Sequence, residues 1–308
     1  MNGGSSVMQC NNLDEVRNNI DRIDDEIIMH RDTKWARKII SLQDDEGKWG
    51  CFHTLSRLSN APMTTEQALR RLKYLGFTIE DNCIEKAVEY MSDCLTHKKE
   101  IPDGKEKIQD WEIFSNLMLA TWIRLFVDDN VAANRVAHQW AEVITAGFEN
   151  GMFDYNKYVD TYAKAIRLPP KGARILGCTS FYPVSLVAGC LDKKIENAYI
   201  EHIINNDGGI YYIYERKISI VPEEFQSKKA SHFLAAIELL SEYEVSKRQL
   251  LYVVNWLQQN KNARGKWDMG NIVNDKVYFP LSDSWRNAEV READCTERIN
   301  RILNKLKA

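Results

Sequence analysis

The chain has 308 residues, 44% of them hydrophobic, and a formal net charge of −3. That is enough apolar material for a sizeable core, and the near-balanced charge leaves no basic footprint for nucleic acid. The longest apolar stretch, Leu117 to Val127, holds Thr121 and Arg124 and is too short to span a bilayer. Seven cysteines stand scattered without a Cys-x-x-Cys pair, which points to reduced thiols and a cytoplasmic location.

In chain order, residues 1–12 are rich in Gly, Ser and Asn and lack the apolar core of a signal peptide, so they are expected to form a flexible tail. Residues 13–308 are expected to form one domain. Leu13 to Ile28 sets Val16, Ile20, Ile23 and Ile27 on one helical face. The same helix resembles the first helix of the all-helical chorismate mutases, although nothing after it does. Thr64-x-x-Gln67 reads as a capping box that opens a helix running to Leu75. Thr78-x-x-Asp81 opens a second over Thr78 to His97, with Ile84, Ala87, Val88, Met91 and Leu95 inward. Trp111 to Val127 is apolar nearly all round, as a helix covered on all sides would be. Further helical stripes include Val136, Trp140 and Val143, then Ala230, Phe233, Leu234 and Ile237. Leu250, Val253, Val254 and Leu257 form another, and Cys295, Ile299, Ile302, Leu303 and Leu306 the last. Gly209 to Tyr214 is the best strand candidate, as one arm of a hairpin with Lys217 to Val221.

A repeat lies in the turns. Gly47-Lys48-Trp49, Gly151-Met152-Phe153, Gly209-Ile210-Tyr211 and Gly265-Lys266-Trp267 each follow a polar turn with glycine, one residue and an aromatic. Asp103-Gly104-Lys105 sits in the longest gap as a degenerate fifth copy. Glycine past a helix end takes the left-handed conformation that caps the last carbonyls, and the aromatic is expected to fold back over the helix ends.

Gln43-x-x-x-Gly47-x-Trp49 resembles the QW motif of the squalene and oxidosqualene cyclases, and Gln259 to Trp267 is a looser version with two extra residues. Similar turns occur in the β subunits of protein prenyltransferases. The resemblance implies an all-α fold, an α/α toroid of about five helix-pair repeats around a largely apolar cavity. It also implies a small, largely apolar or isoprenoid-like ligand there. The catalytic strings of those families are missing: there is no Asp-x-Asp-Asp, and Asp24-Asp25, Asp44-Asp45 and Asp128-Asp129 lack the third carboxylate of a magnesium-diphosphate motif. Asp81-Asn82-Cys83 spells a zinc fragment of the prenyltransferases without its surroundings. No metal and no cofactor is expected, since His30, His53, His97, His138 and His202 stand singly.

Asp294-Cys295-Thr296 matches the start of the acid motif by which oxidosqualene cyclases protonate their substrate. In that reading Asp294 is the catalytic proton donor. It continues Glu297-Arg298, so Asp294-x-x-Glu297 also reads as an ordinary capping box. Asp283, Trp285 and Arg286, in the dense Tyr278 to Arg286 loop, are candidate ligand contacts. So are Arg298 and the apolar pair Phe181 and Tyr182, which lead into a helix at a cavity mouth. Lys228, Lys229, His232 and the Arg167 to Arg174 segment are small basic clusters, suited to an anion or simply solvated. Three functions stay open: a binder of a small apolar ligand, a non-catalytic scaffold for an unidentified protein partner, and a proton-initiated cyclase using Asp294.

Overall fold

The structure, a computed structural model, describes residues 30–53, 61–105 and 108–307. The tail and the Leu13 to Ile28 helix lie outside these residues.

The described chain is helical. Its elements are α1 (Lys34–Ile40), α2 (Thr65–Tyr74), α3 (Asn82–Leu95), α4 (Trp111–Arg124), α5 (Val131–Phe148) and α6 (Tyr155–Ala165). There follow α7 (Phe181–Leu186), α8 (Lys193–Asn205), α9 (Lys228–Leu240), α10 (Ser246–Gln249), α11 (Leu251–Gln259) and α12 (Ala288–Lys307). Side chains write most of the starts. Thr33, Thr64, Asp110, Asn130, Asp154, Asp192 and Ser227 each accept from amides of the following first turn, where the helix has no carbonyl to offer. At Thr64 the reciprocal bond from Gln67 completes the expected capping box.

Two helices begin elsewhere than expected. The helix after Thr78 starts at Asn82, because the Asp81 carboxylate turns back to accept from the Thr78 amide at 2.8 Å and holds the preceding turn outside the helix. The last helix starts at Ala288, six residues before Asp294. Asn287 opens it by accepting from the Glu289 amide at 2.8 Å, so Asp294 is no N-cap. The hairpin is also replaced. No strand forms among the described residues, and Gly209 to Tyr214 is a tight turn closed by the Ile210–Tyr214 bridge with Tyr212 at φ 80°.

α4 is buried on nearly every side, packed against α3, α5 and α7. This explains why its sequence shows no polar face.

The turns at Gly47 and Gly265 repeat one structure. Asp44 and Asn262 each accept from the two amides that follow. The Trp49 indole donates to the Ile39 carbonyl at the end of α1, and that of Trp267 to the Leu257 carbonyl in the last turn of α11, both at 2.7 Å. Their amides then bond to Thr65 of α2 and Thr296 of α12. Each tryptophan therefore clips the end of one helix to the next. At Gly151 the aromatic is partly buried, with Phe153 against Phe148 and Tyr158. The fourth copy departs: Tyr211 is exposed, because its backbone bonds to Thr179 and Phe181 and leaves the ring outside.

The two ends of the described chain meet. The Lys34 amide donates to Asp283 and the Trp35 indole to the Ser282 carbonyl. His30 pairs with Glu297. The Arg71 guanidinium reaches the Val277 and Pro280 carbonyls.

Candidate functional site

Five helices converge on one cavity of about 290 Å³. α2 contributes Arg70, Lys73 and Tyr74, and α4 contributes Trp122. Phe181 and Ser185 come from α7, Ala235, Glu238 and Leu239 from α9, and Arg301, Ile302 and Lys305 from α12. Spacings of three and four residues put each set on one helical face. Tyr278, from the loop before α12, completes the aromatic wall.

Two buried ion pairs organise this wall. Arg70 pairs with Glu66 at 3.2 Å and lies under the rings of Phe181, Trp122 and Tyr212, 4.4–5.5 Å from their centroids. Burial pushes its pKa down, but the Glu66 carboxylate together with Tyr278, Tyr212 and Tyr182 outweighs that and raises the value. Glu66 also accepts from the Tyr182 and Tyr212 hydroxyls. In the second pair, buried Arg298 donates to Glu238 at 2.7 Å and to both the hydroxyl and carbonyl of Ser231. The rings of Tyr278 and Phe279 cover it. Glu238 also takes the Tyr74 hydroxyl. Burial tends to lower the pKa of Arg298, and Glu238 reverses the direction.

Basic groups line the mouth. Lys305 pairs with Glu242 and Arg301 with Glu297. Lys73 donates to the Leu125 carbonyl at 2.9 Å and makes no ion pair among the described residues. Lys73 is exposed, yet partial loss of water around its ammonium pushes the pKa down. Nearby Lys305 adds to that, and Glu242 opposes it. Two wall groups, the Trp122 indole N–H and the Ser185 hydroxyl, are buried without a hydrogen-bond partner.

A second cavity, of about 240 Å³, lies at the N-terminal halves of α4 and α7. Tyr182 and Tyr212 belong to its wall, while Arg70 and Phe181 belong to the first. Glu66, fully buried and bonded to Arg70 on one side and to both tyrosines on the other, stands between the two.

The residues singled out from sequence are not gathered in one place. Phe181 lines the first cavity and Tyr182 the second, and both lie within α7 rather than in a loop before it. Asp294 is buried away from both cavity walls. Its Oδ2 accepts from the Leu281 and Ser282 amides, the Ser282 hydroxyl and the Trp285 indole, at 2.6–2.9 Å. That geometry holds the loop to α12. Trp285 packs on Phe279, and Arg286 is exposed. Asp283 accepts from the amide of Lys34, the first residue of α1. Arg298 positions Glu238 from behind the wall.

Sequence reasoning missed Glu66, Arg70, Tyr74 and Glu238. A signal existed for one of them: Glu238 is a lone carboxylate in the otherwise apolar run from Phe233 to Leu240. Among the described residues no group of three or more His, Cys, Asp or Glu side chains is placed to hold a metal, and no helix is long and apolar enough to cross a membrane. No protein-family model, curated protein or solved structure matches the chain.

Proposed function

We propose that the chain is an α/α toroid of about five helix pairs that binds a small, largely apolar molecule in its central cavity. One observation supports this reading: α2, α4, α7, α9 and α12 line a single cavity, whereas the helices between them in the chain, α3, then α5 and α6, then α8, then α10 and α11, contribute nothing to its wall. Alternation of lining and covering helices is what a ring of helix pairs requires. The meeting of the chain ends and the matching Trp49 and Trp267 clips support the same arrangement.

The wall supports a ligand with an apolar body. Tyr74, Trp122, Phe181 and Tyr278 offer ring faces, and the unpartnered indole N–H of Trp122 offers a donor to a polar atom. A volume of about 290 Å³ is at the low end of small-molecule sites, roughly 300–1,000 Å³. A short isoprenoid-like or aromatic molecule fits better than a triterpene.

The cyclase reading has less support. Arg70 already occupies the cluster of ring faces where a developing carbocation would need to sit, and two cations do not share one aromatic cage. Asp294, tied to four donors, is not placed as a proton donor to either cavity. The scaffold reading predicts an empty cavity.

Native mass spectrometry of protein purified from its own host tests the proposal. A retained small molecule is the expected result, lost in an Ala235→Trp variant that fills the cavity yet unfolds at the parent's temperature. Protein that is empty in its host, with no apolar probe bound in vitro, would refute the ligand-binding reading and favour the scaffold.

A further inference from the structure

The second cavity has its own chemistry, independent of the first. Its aromatic wall comprises His53, Phe114, Tyr182 and Tyr212. Phe114 presents edge contacts to His53 and Tyr182, with centroids 5.2 and 5.6 Å away. Tyr212 lies within 23° of parallel to both His53 and Tyr182. Such an arrangement offers both ring faces and ring edges to a flat guest.

The same cavity is lined by Gln109 and Arg174. These are partners in a parallel bridge, closed by the Arg174 amide donating to the Ile108 carbonyl at 2.9 Å, so their side chains leave the backbone on one side. Neither side chain is used by the fold. The Gln109 Oε1 is buried without a hydrogen-bond partner. The Arg174 side chain is exposed, and its guanidinium forms no hydrogen bond or ion pair among the described residues. The buried Gln109 oxygen is the unusual member of the pair, because buried polar atoms are normally satisfied, and the guanidinium fork beside it is open to a ligand. An arginine fork matches the two oxygens of a carboxylate, and a glutamine amide can turn to present a donor beside it.

We infer that this second cavity binds an aromatic monocarboxylate about the size of benzoate, with its carboxylate on Arg174 and Gln109 and its ring among His53, Phe114, Tyr182 and Tyr212. The inference goes beyond the central-cavity reading and does not depend on it. Arg174 is exposed at the cavity edge and takes no part in the core, so its removal leaves the fold intact.

Isothermal titration with benzoate tests the assignment, using cyclohexanecarboxylate, benzamide and inorganic phosphate as comparison probes. Benzoate should bind with one-to-one stoichiometry. Cyclohexanecarboxylate and benzamide should each bind at least several-fold more weakly, since one lacks the ring faces and the other the charge. Arg174→Gln should weaken benzoate at least tenfold with no change in melting temperature, and Gln109→Leu should weaken it by a smaller factor. The central-cavity variant Ala235→Trp should bind benzoate like the parent. Absence of saturable benzoate binding at millimolar concentration would overturn the inference, as would undiminished binding by Arg174→Gln. Phosphate binding as tightly as benzoate would also overturn it, since the site would then read charge alone.

Discussion

Asp294 shows how much a single buried carboxylate can organise. Two backbone amides, a hydroxyl and an indole all point at one oxygen, and two of these donors, the Leu281 amide and the Trp285 indole, are buried. Asp294→Ala should therefore cost about 2–4 kcal/mol, more than a helix cap, because several donors lose their acceptor together. Asp294→Asn keeps an acceptor and should cost roughly half as much. Urea titration of the two variants decides the matter. A loss below about 1 kcal/mol in the alanine variant would mean the loop is held by something else.

Lys73 makes a pH-dependent contribution whose sign follows from its direction of shift. Partial desolvation lowers its pKa in the folded protein, so between that lowered value and the ordinary lysine value of about 10.4 the unfolded chain binds more protons than the folded one. Stability relative to a Lys73→Met variant should thus rise with pH across that interval and be flat below it. Parallel denaturation of the two proteins across that range reads the difference directly, and a difference that falls with rising pH would contradict the assignment.

At the scale of elements, the glycine turns separate two costs that are usually confounded. Gly47, Gly151, Gly209 and Gly265 all have positive φ, between 56° and 95°. A Cβ on Gly47 would lie 2.5 Å from the Lys86 carbonyl oxygen, and one on Gly209 would lie 2.2 Å from two carbonyl oxygens, whereas Gly151 and Gly265 face open space. Alanine at Gly151 or Gly265 should cost about 1 kcal/mol from backbone strain alone. At Gly47 or Gly209 it should cost about 3 kcal/mol or more, because backbone must also move. Thermal melts of the four variants should fall into two classes along this division, and four equal losses would show that strain alone governs these turns.

The same elements show what was legible beforehand. Helices announced themselves where a polar cap met an apolar stripe, as at Thr64. The Gly-x-aromatic spacing correctly marked Gly47 and Gly265 as left-handed turns carrying a buried tryptophan. It failed for Tyr211, since which of two neighbouring tyrosines turns inward depends on the reversal at Tyr212, a tertiary matter. The cavity wall was mostly hidden. Glu66 and Arg70 are four residues apart, which on paper is a solvated surface pair, and only the packing of α2 against α4 and α7 puts them inside. Asp294 was misread for a related reason. Its spacing to Glu297 imitates a helix start, while the true start at Asn287 carries no such signature.

For the whole molecule, the contacts between its two ends make α12 a keystone rather than an appendage. It supplies part of the cavity wall, anchors the loop through Asp294, and meets the first described residues through His30 and Glu297. Removing residues 288–307 should abolish cooperative unfolding instead of trimming stability, as calorimetry would show by the loss of a single sharp transition. A truncated protein that still melts sharply would mean that the remaining helices form a core of their own.

The partition formed by Glu66 has a consequence for how the molecule would respond to two solutes at once. Glu66 is buried and bonded to Arg70 of one wall and to Tyr182 and Tyr212 of the other, so two guests would share a carboxylate between them rather than compete for one space. Two helices are shared: Trp122 of α4 and Phe181 of α7 lie on one wall, and Phe114 of α4 and Tyr182 of α7 on the other. A guest that rotates α7 would therefore alter the opposite cavity by an equal and reciprocal free energy. A guest that leaves α4, α7 and Glu66 still would be invisible there, and the protein would behave as two unrelated receptors sharing a wall.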